Sequence, residues 1–258
     1  MADVMSLLQS TALPPLIQPM SRRTRIKICG ITRESDLDAA AAAGADAVGF
    51  VLYPASARYV TAARAAELAR RLPPFVTPVL LFVNASAAEI AAACAAIPAA
   101  VVQFHGDESV QDCLTIGRAF VRAARIPLDE VSPSEPGNLG GFDLVNYAHD
   151  FRLAQAILLD AHVDGYGGGG KTFNWSLLPP SVNAHLVLSG GLTPANVTDG
   201  ILQVRHRGLS LAVDVSSGVE VSKGIKCHAL ISQFVAAVRA ADDQFAKSDS
   251  FYVSLSTT

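Results

Sequence analysis

The sequence predicts an α/β protein with a single domain, a (β/α)8 TIM barrel, and three observations support this fold class. The chain has 258 residues, a usual length for one barrel of this type. Half of its residues are hydrophobic, which is enough for one large core. Short apolar runs alternate with Ala- and Leu-rich stretches of helical spacing along almost the whole chain, and this alternation is typical of repeated βα units around a parallel sheet.

The strand candidates are short and rich in Val, Ile, Leu and Phe, and there are eight of them, the number that closes a barrel. In chain order they are Arg25–Cys29, Asp46–Val51, Thr77–Val83, Ala100–His105, Phe120–Ile126, Ala156–Asp160, His185–Gly190 and Ser210–Val215. A doubly wound open sheet is the alternative. However, the first strand is followed by CGIT and not by the G-x-G-x-x-G turn of dinucleotide-binding sheets, so the barrel is favoured.

Helical spacing between these strands predicts six helices: Glu34–Ala43, Ala62–Leu72, Ala87–Ala96, Ser109–Gly117, Pro194–Val204 and Ile225–Phe245. Start signals precede four of them: Thr32, Thr61, the acidic pair Asp107-Glu108, and Thr193 before Pro194. The fifth βα unit is the weakest, because PSEPGNLGGFDLVNYAHDF at 133–151 resembles a loop before any helix.

Charge and composition exclude several classes of partner. The net formal charge is -3, and no cluster of Lys and Arg is long enough to follow a nucleic-acid backbone, so no nucleic acid is expected as a partner. No window of about eighteen apolar residues is free of charges, Pro and Gly, so no membrane span is expected. The four cysteines form no C-x-x-C pair and no metal-ligand spacing with His, which indicates free thiols in a reducing, cytoplasmic environment and no metal site.

The domain boundaries are predicted from the two ends of the chain. Residues 1–24 are expected to form a flexible leader, because they lack the basic start and unbroken apolar core of a signal peptide, and Met20 is a candidate start. Residues 25–240 are expected to form the catalytic barrel, and residues 241–258 a C-terminal tail.

A glycine-rich segment, GYGGGGKT from Gly165 to Thr172, fits the phosphate-binding pattern G-x-x-x-x-G-K-[ST] of nucleotide triphosphatases. That pattern works only where a strand precedes the glycines and a helix begins at the Lys-Thr pair. A strand candidate precedes it, but Pro179 and Pro180 leave room for barely one helical turn afterwards. The triphosphatase interpretation is therefore rejected.

Phosphate binding is expected elsewhere, in the loops after the seventh and eighth strands, where barrels of this type often hold phosphate. Gly190 and Gly191 follow the seventh strand, and Ser216, Ser217 and Gly218 follow the eighth. Small residues let backbone amides approach an anion, and hydroxyl groups add donors. Ordinary turns are the alternative interpretation of each loop.

Candidate catalytic residues end other strands. Cys29, His105 and Asp160 lie at the ends of the first, fourth and sixth strands, and Arg58 follows the second. Singly, each has a structural interpretation, such as a core thiol, a buried His or a helix cap. Together on one face of a barrel, a thiol and a carboxyl group predict an acid/base pair. For Asp214, orientation of the eighth loop and a structural role are both open.

Six ordered motifs at these strand ends resemble the phosphoribosylanthranilate isomerase family of tryptophan biosynthesis. They are KICGIT, GFVLYPASARYV, VQFHGDE, LLDA with GGGGKTFNW, LSGGLTPANV, and VDVSSGVE with KGIK. The resemblance extends from Arg25 to the last helix. It implies a (β/α)8 barrel that uses no metal or organic cofactor and rearranges N-(5-phospho-β-D-ribosyl)anthranilate into 1-(2-carboxyphenylamino)-1-deoxyribulose 5-phosphate. The partner it implies is this small phosphorylated substrate, and a monomer and a homodimer are both compatible with it.

The resemblance also implies roles for individual residues. Cys29 would be the general base, Asp160 the general acid, and Arg58 the ligand of the anthranilate carboxylate. The phosphate would be bound by Gly190, Gly191, Ser216, Ser217 and Gly218. His105 is grouped with the substrate-binding residues, with a supporting or structural role as the alternative, and the glycine-rich segment with Lys171 would close over the substrate.

Two positions depart from the family pattern. Ala57 stands where members often have Pro, which loosens the loop that orients Arg58, and Asn174 stands where members often have Asp, which removes a charge near the glycine-rich segment. Neither change affects the proposed acid/base pair.

The rearrangement needs the furanose oxygen protonated, so that the ring opens to an iminium ion, and a proton then removed from the neighbouring carbon. The iminium ion is its own electron sink. Free Asp and Cys differ by about 4.6 pKa units, so a thiolate facing a protonated Asp is disfavoured by about 6 kcal/mol before the site intervenes. Donors such as a helix terminus are expected to stabilise the thiolate. Composition alone also permits Asp as base and Cys as acid.

Two other functions stay open at this point. A related phosphate-binding barrel that acts on an aminoaldose of the imidazole pathway would pair two aspartates, and Cys29 argues against it. A barrel that only binds a phosphorylated ligand would keep Cys29 as a core thiol.

Overall fold

The computed structural model describes residues 23–128, 141–161 and 172–255. Its central feature is a closed barrel of eight parallel strands in sequential order, which confirms the predicted fold class. The strands are β1 Arg25–Cys29, β2 Ala47–Val51, β3 Thr77–Phe82, β4 Val101–Phe104, β5 Phe120–Ile126, β6 Ala156–Ala161, β7 His185–Leu188 and β8 Ser210–Val215. Each strand candidate is confirmed, with bounds that differ by at most two residues.

Helices surround the barrel. They are α1 Glu34–Ala43, α2 Ala62–Ala69, α3 Ala87–Ala96, α4 Val110–Thr115, α5 Leu144–Asp150, α6 Val197–Val204 and α7 His228–Leu255. Short 3-10 helices occupy Trp175–Leu177, Arg205–Arg207 and Ser217–Val219. A small antiparallel hairpin after β8 consists of β9 Glu220–Ser222 and β10 Ile225–Lys226. In the described ranges, no helix has the length and hydropathy that a membrane crossing needs.

The predicted helix starts are correct in one case and wrong in three. Thr61 caps α2 by accepting a hydrogen bond from the Arg64 amide. At α1 the N-cap position belongs to Arg33 and not to Thr32. The acidic pair 107–108 precedes α4, which is capped by Ser109 through a reciprocal capping box.

The other differences lie near the end of the chain and in the fifth unit. Pro194 lies in a turn, and α6 begins three residues later at Val197. The closing helix begins at His228, because the preceding residues pair in the hairpin. The segment that resembled a loop contains α5, which is capped by Asp143. The helix α7 continues past residue 240, the predicted end of the barrel domain.

Alternation along the strands separates two apolar layers. Outward-facing residues such as Ile26 and Ile28 join the large core between the barrel and its helices. Inside the barrel, Ala123, Leu158 and Val187 form an apolar layer. The same alternation directs polar side chains into the barrel near the carboxyl ends of the strands, where the candidate site lies.

Candidate active site at the carboxyl ends of the barrel strands

Cys29 is the last residue of β1, and its side chain is 5% exposed in an inward-facing cluster with Val51, Leu81 and Val83. In the sheet register it lies beside Gly49 of β2. A side chain at Gly49 would place its Cβ 2.7 Å from Sγ of Cys29, so glycine leaves the space that the sulfur faces. Burial raises the pKa of the Cys29 thiol, and the neighbouring Lys27 ammonium acts against this rise.

Lys27 is a buried cation that the sequence analysis missed. It lies two residues before Cys29 on the same inward face, and its Nζ donates a hydrogen bond to Oδ1 of Asp214 on β8 at 2.9 Å. Burial alone would lower the pKa of Lys27, but the Asp214 carboxylate and the Cys29 sulfur in its thiolate form raise it to about 12. Asp214 is thus the anchor of Lys27, and its remaining oxygen accepts a 3.5 Å hydrogen bond from the Ser189 hydroxyl.

Asp160 of β6 is also buried and is held by His105, which follows β4. The Nε2 atom of His105 lies 2.9 Å from Oδ2 of Asp160, and Nδ1 lies 3.1 Å from the side-chain nitrogen of Gln103. When this amide donates to Nδ1, the ring carries its proton on Nε2 and donates it to Asp160. Gln103 was missed, although it lies two residues before His105, the same spacing that relates Lys27 to Cys29.

Arg58 is a buried residue and not a solvated loop arginine, since it is only 8% exposed. Its Nε and Nη2 atoms donate to the two carboxylate oxygens of Glu220 at 2.8 and 2.7 Å. Its aliphatic stem passes over Gly30, which has φ +77°, and a Cβ there would lie 2.5 Å from Cδ of Arg58. One edge of the guanidinium is therefore used by Glu220, which leaves the Nη1 side for a ligand.

Glu220 connects Arg58 with a second buried cation, Lys226. Nζ of Lys226 donates to Glu220 at 2.8 Å and to the carbonyl oxygen of Ser216 at 3.0 Å. Burial raises the pKa of Glu220, but hydrogen bonds from Arg58 and the charge of Lys226 outweigh it, so the pKa of this carboxyl lies below its usual value. Burial lowers the pKa of Lys226 despite the Glu220 carboxylate. Two cations and one carboxylate leave this part of the site electropositive.

The loops after β7 and β8 come into direct contact. Gly190 and Gly191 both have positive φ values, +76° and +63°. A Cβ on Gly190 would lie 2.6 Å from the amide nitrogen of Ala161 and 2.9 Å from Oδ1 of Asp160. A Cβ on Gly218 would lie 1.8 Å from the carbonyl oxygen of Leu192, a distance that no side chain tolerates. The two loops are therefore packed against each other, and the loop after β7 lies beside the Asp160 carboxylate.

Ser216 and Ser217 complete the second loop. The Ser216 hydroxyl oxygen lies 3.1 Å from the position of a Cβ on Gly30, and it accepts a 3.4 Å hydrogen bond from Lys226. Ser217 is the first residue of a 3-10 helix. The eighth-strand loop is thereby tied to the loop after β1 and to the Arg58 network.

The glycine-rich segment and Lys171 lie outside the described residues, together with the proposed closure over the substrate. The chain after it is described from Thr172 onward, and it enters a single 3-10 turn, Trp175–Leu177, instead of an α-helix. Asn174 caps this turn by accepting hydrogen bonds from the amide and the hydroxyl of Ser176. The rejection of the triphosphatase interpretation agrees with this geometry.

Cys29, Asp160, Asp214 and the two glycine- and serine-containing loops follow different strands of one parallel barrel, so they share its carboxyl-terminal mouth. Within the described ranges, no group of three or more His, Cys, Asp and Glu side chains is arranged to hold a metal ion. The arrangement offers a thiol, a carboxyl group with a His partner, and an electropositive rim. This set can move protons on a bound anionic molecule.

Comparisons with known proteins agree with this geometry. Residues 26–237 match the sequence model of the family described as N-(5'phosphoribosyl)anthranilate (PRA) isomerase. The N-(5'-phosphoribosyl)anthranilate isomerase of Methylibium petroleiphilum is 60% identical over 227 residues, covering 88% of this chain and 99% of the relative. The same enzyme of Leptothrix cholodnii is 57% identical over 230 residues, covering 89% of this chain and 97% of the relative.

Solved structures show the same likeness. The phosphoribosyl anthranilate isomerase of Thermotoga maritima is 37% identical, with a TM-score of 0.68, and the match covers 84% of this chain and 99% of that one. A second isomerase structure, in complex with reduced 1-(o-carboxyphenylamino)-1-deoxyribulose 5-phosphate, is 34% identical with a TM-score of 0.66 and the same coverage. With these matches over nearly the whole barrel, the chain belongs to the phosphoribosylanthranilate isomerase family.

Proposed function

We propose that Cys29 is the general base and Asp160 the general acid of the family reaction in this chain. That reaction is the aldose-ketose isomerisation of N-(5-phospho-β-D-ribosyl)anthranilate in tryptophan biosynthesis, so the enzyme is an intramolecular oxidoreductase. The observation that carries the proposal is the pairing of each group with its own polar partner inside one barrel mouth. Cys29 lies beside the Lys27 ammonium, and Asp160 lies 2.9 Å from His105.

The proposed first step is ring opening. Asp160 donates a proton to the furanose oxygen while the bond from that oxygen to C1 of the sugar breaks, and the anilino nitrogen supplies the electron pair of the iminium ion. Oδ2 of Asp160 accepts from His105, so Oδ1 is the oxygen that is left to carry the transferable proton. Oδ1 lies on the side of Gly190, in the loop after β7.

The proposed second step is proton removal. The thiolate of Cys29 takes the proton from C2, and the electron pair of the C2–H bond neutralises the iminium ion to an enolamine. The enolamine tautomerises to the ketone by gaining a proton at C1 and losing the one on its C2 oxygen. One proton leaves Asp160 and one arrives on Cys29, so the pair returns to its starting state by exchange with solvent.

The remaining site residues are proposed to bind the two anionic ends of the substrate. Arg58 would bind the anthranilate carboxylate through its Nη1 side, since Glu220 occupies the other edge. The phosphate would be bound by the loops of Gly190, Gly191, Ser216, Ser217 and Gly218, whose close packing at the barrel mouth supports this role. His105 would act through Asp160, as its hydrogen-bond partner.

We expect Arg58→Lys to raise KM by about 10- to 100-fold with a smaller change in kcat, because a single ammonium replaces a two-pronged donor worth about 1.5–3 kcal/mol per charged hydrogen bond. Steady-state kinetics measures both constants. The matched control is Arg64→Lys, because Arg64 is an arginine of α2 that pairs with Glu34 on the outer surface. If kcat and KM of Arg58→Lys are unchanged, Arg58 does not bind the anthranilate carboxylate.

We expect Gly218→Ala to raise KM by about tenfold or more, because the new methyl group forces the eighth-strand loop away from Leu192. Competitive inhibition by inorganic phosphate should weaken in parallel with the rise in KM. The control is Gly117→Ala, in the turn that leads to β5, where a Cβ meets nothing within 4 Å although φ is +60°. If Gly218→Ala keeps its KM and its inhibition by phosphate while folded, the phosphate does not lie at this loop.

The activity itself is tested by complementation of a tryptophan auxotroph that lacks this isomerase. Growth without tryptophan on the wild-type gene, and none on the Cys29→Ala and Asp160→Val genes, is the expected result. Equal failure of all three genes, with folded protein present in each strain, would favour a barrel that only binds its ligand.

The cellular setting is proposed from composition and relatives. The free thiols support a cytoplasmic location, and fractionation of the native host tests it. A relative from Thermotoga maritima is described as a dimeric isomerase from which monomers have been generated. Sedimentation velocity distinguishes the monomer from the homodimer for this chain.

A further inference from the structure

The proposed base has to form a thiolate in a place that disfavours charge. Cys29 is 5% exposed, and its neighbours Val51, Leu81 and Val83 are apolar. Burial of this kind raises the pKa of the thiol. A nearby cation is the usual way to oppose such an effect.

One ammonium group borders the same small space as the sulfur. A Cβ on Gly49 would lie 2.7 Å from Sγ of Cys29 and 3.1 Å from Nζ of Lys27. The sulfur and the ammonium nitrogen therefore lie against the same side of β2 at Gly49. Lys27 is 8% exposed, and Asp214 fixes its Nζ at 2.9 Å from one side. The sulfur lies close enough for a hydrogen bond with Lys27 to contribute to the state of both groups.

The other charged groups around Cys29 come from two strands and one loop. Asp214 on β8 acts against the thiolate, and Lys226 on β10 favours it from farther away. Arg58, after β2, interacts with the same sulfur. Arg58 and Lys226 are both engaged by the Glu220 carboxylate, whereas Lys27 lies between Asp214 and Cys29.

We propose that Lys27 is a positioning residue of the reaction, whose ammonium group, anchored by Asp214, is the counter-ion that favours the thiolate form of Cys29. This inference rests on the proposed role of Cys29 as the base. The ammonium donates a hydrogen bond to the sulfur and keeps its own proton, since its pKa is about 12. Asp214 fixes the position of the ammonium but also competes with the sulfur for it. Lys27 therefore acts to lower the pKa of Cys29, and Asp214 acts to raise it.

The opposite effects of Lys27 and Asp214 on the pKa of Cys29 allow a test that distinguishes the proposed role from a merely structural one. The titration of Cys29 is followed by ultraviolet thiolate absorbance, as the difference between each variant and the same variant carrying Cys29→Ala. Lys27→Met is expected to raise the apparent pKa of Cys29 by at least about one unit, and Asp214→Asn is expected to lower it. The ascending limb of kcat/KM against pH should move in the same two directions, because the base must be deprotonated.

Lys27→Met leaves the Asp214 carboxylate buried without its cation, and this variant can fail to fold. The double variant Lys27→Met/Asp214→Asn removes both charges and avoids that problem. Its Cys29 pKa is expected to be at least about one unit above that of Asp214→Asn alone, a comparison that isolates the ammonium.

The two proposals fail in different ways. If the Cys29 titration in Lys27→Met, or in the double variant relative to Asp214→Asn, stays within about 0.3 unit, the role of Lys27 is wrong even if Cys29→Ala is inactive. If Cys29→Ala keeps its activity, the base is not Cys29, and the proposed function fails together with the role of Lys27 in catalysis. Shifts of the same sign in Lys27→Met and Asp214→Asn also contradict the inference.

Discussion

Cys29→Ala is expected to lower kcat by about 10²- to 10⁴-fold and to leave KM within a few-fold of the wild type. A positioned general base contributes about this factor, and the sulfur is the inward-facing group with which β1 ends. The loops that are proposed to bind the phosphate and the carboxylate are not altered, so substrate affinity should persist. Steady-state kinetics on protein of verified fold gives both constants.

Two further substitutions make this result specific. Cys29→Ser preserves the size of the side chain but replaces the thiol with a hydroxyl of much higher pKa, so a loss of similar size is expected. Cys94→Ala removes another buried cysteine, on α3 outside the barrel mouth, and should keep its kcat. A Cys29→Ala enzyme with more than about a tenth of the wild-type kcat would show that the base is another group.

Asp160→Asn is expected to lower kcat by a similar factor of about 10²–10⁴, because the amide has no proton to give to the ring oxygen. The amide oxygen can still accept the hydrogen bond from Nε2 of His105, so the local structure should survive. The control is Asp199→Asn on the exposed face of α6.

The pH dependence tests the resting protonation states that the proposed roles require. A resting enzyme with a Cys29 thiolate and a protonated Asp160 has an ascending limb of kcat/KM that follows thiolate formation, measured by ultraviolet absorbance. A resting enzyme with a neutral Cys29 thiol and an ionised Asp160 has a descending limb that follows it. Loss of the descending limb in Asp160→Asn would support the acid role, and an unchanged profile with unchanged kcat would contradict it.

The fold could be predicted from the sequence because its signal is repeated eight times. Short apolar runs such as Phe120–Ile126 contrast sharply with Ala-rich stretches such as Ala87–Ala96, and both elements have the bounds that the pattern predicts. The errors in helix starts and in the fifth unit arose where local sequence signals competed with one another. Ser109 with Asp112 forms a capping box, a better start than the acidic pair before it, and the Pro- and Gly-rich chain before Leu144 obscured α5.

The site was predictable to a different degree for each residue. Strand ends identified Cys29 and Asp160 as candidates, and the two-residue period of a strand could have added Lys27 and Gln103. Glu220 could not be found in this way. It lies 162 residues from Arg58 along the chain, and only closure of the barrel brings the hairpin after β8 beside the loop after β2.

The most direct test is a crystal structure of this enzyme with a reduced product analogue of the kind bound to its relative. The account predicts Sγ of Cys29 within about 3.5 Å of C2 of the sugar chain and an Asp160 oxygen within about 3.2 Å of the oxygen on C4, which is the ring oxygen of the substrate. The phosphate should contact the loops after β7 and β8. An analogue bound with its phosphate in those loops but with either catalytic atom more than about 6 Å from its target would contradict the account.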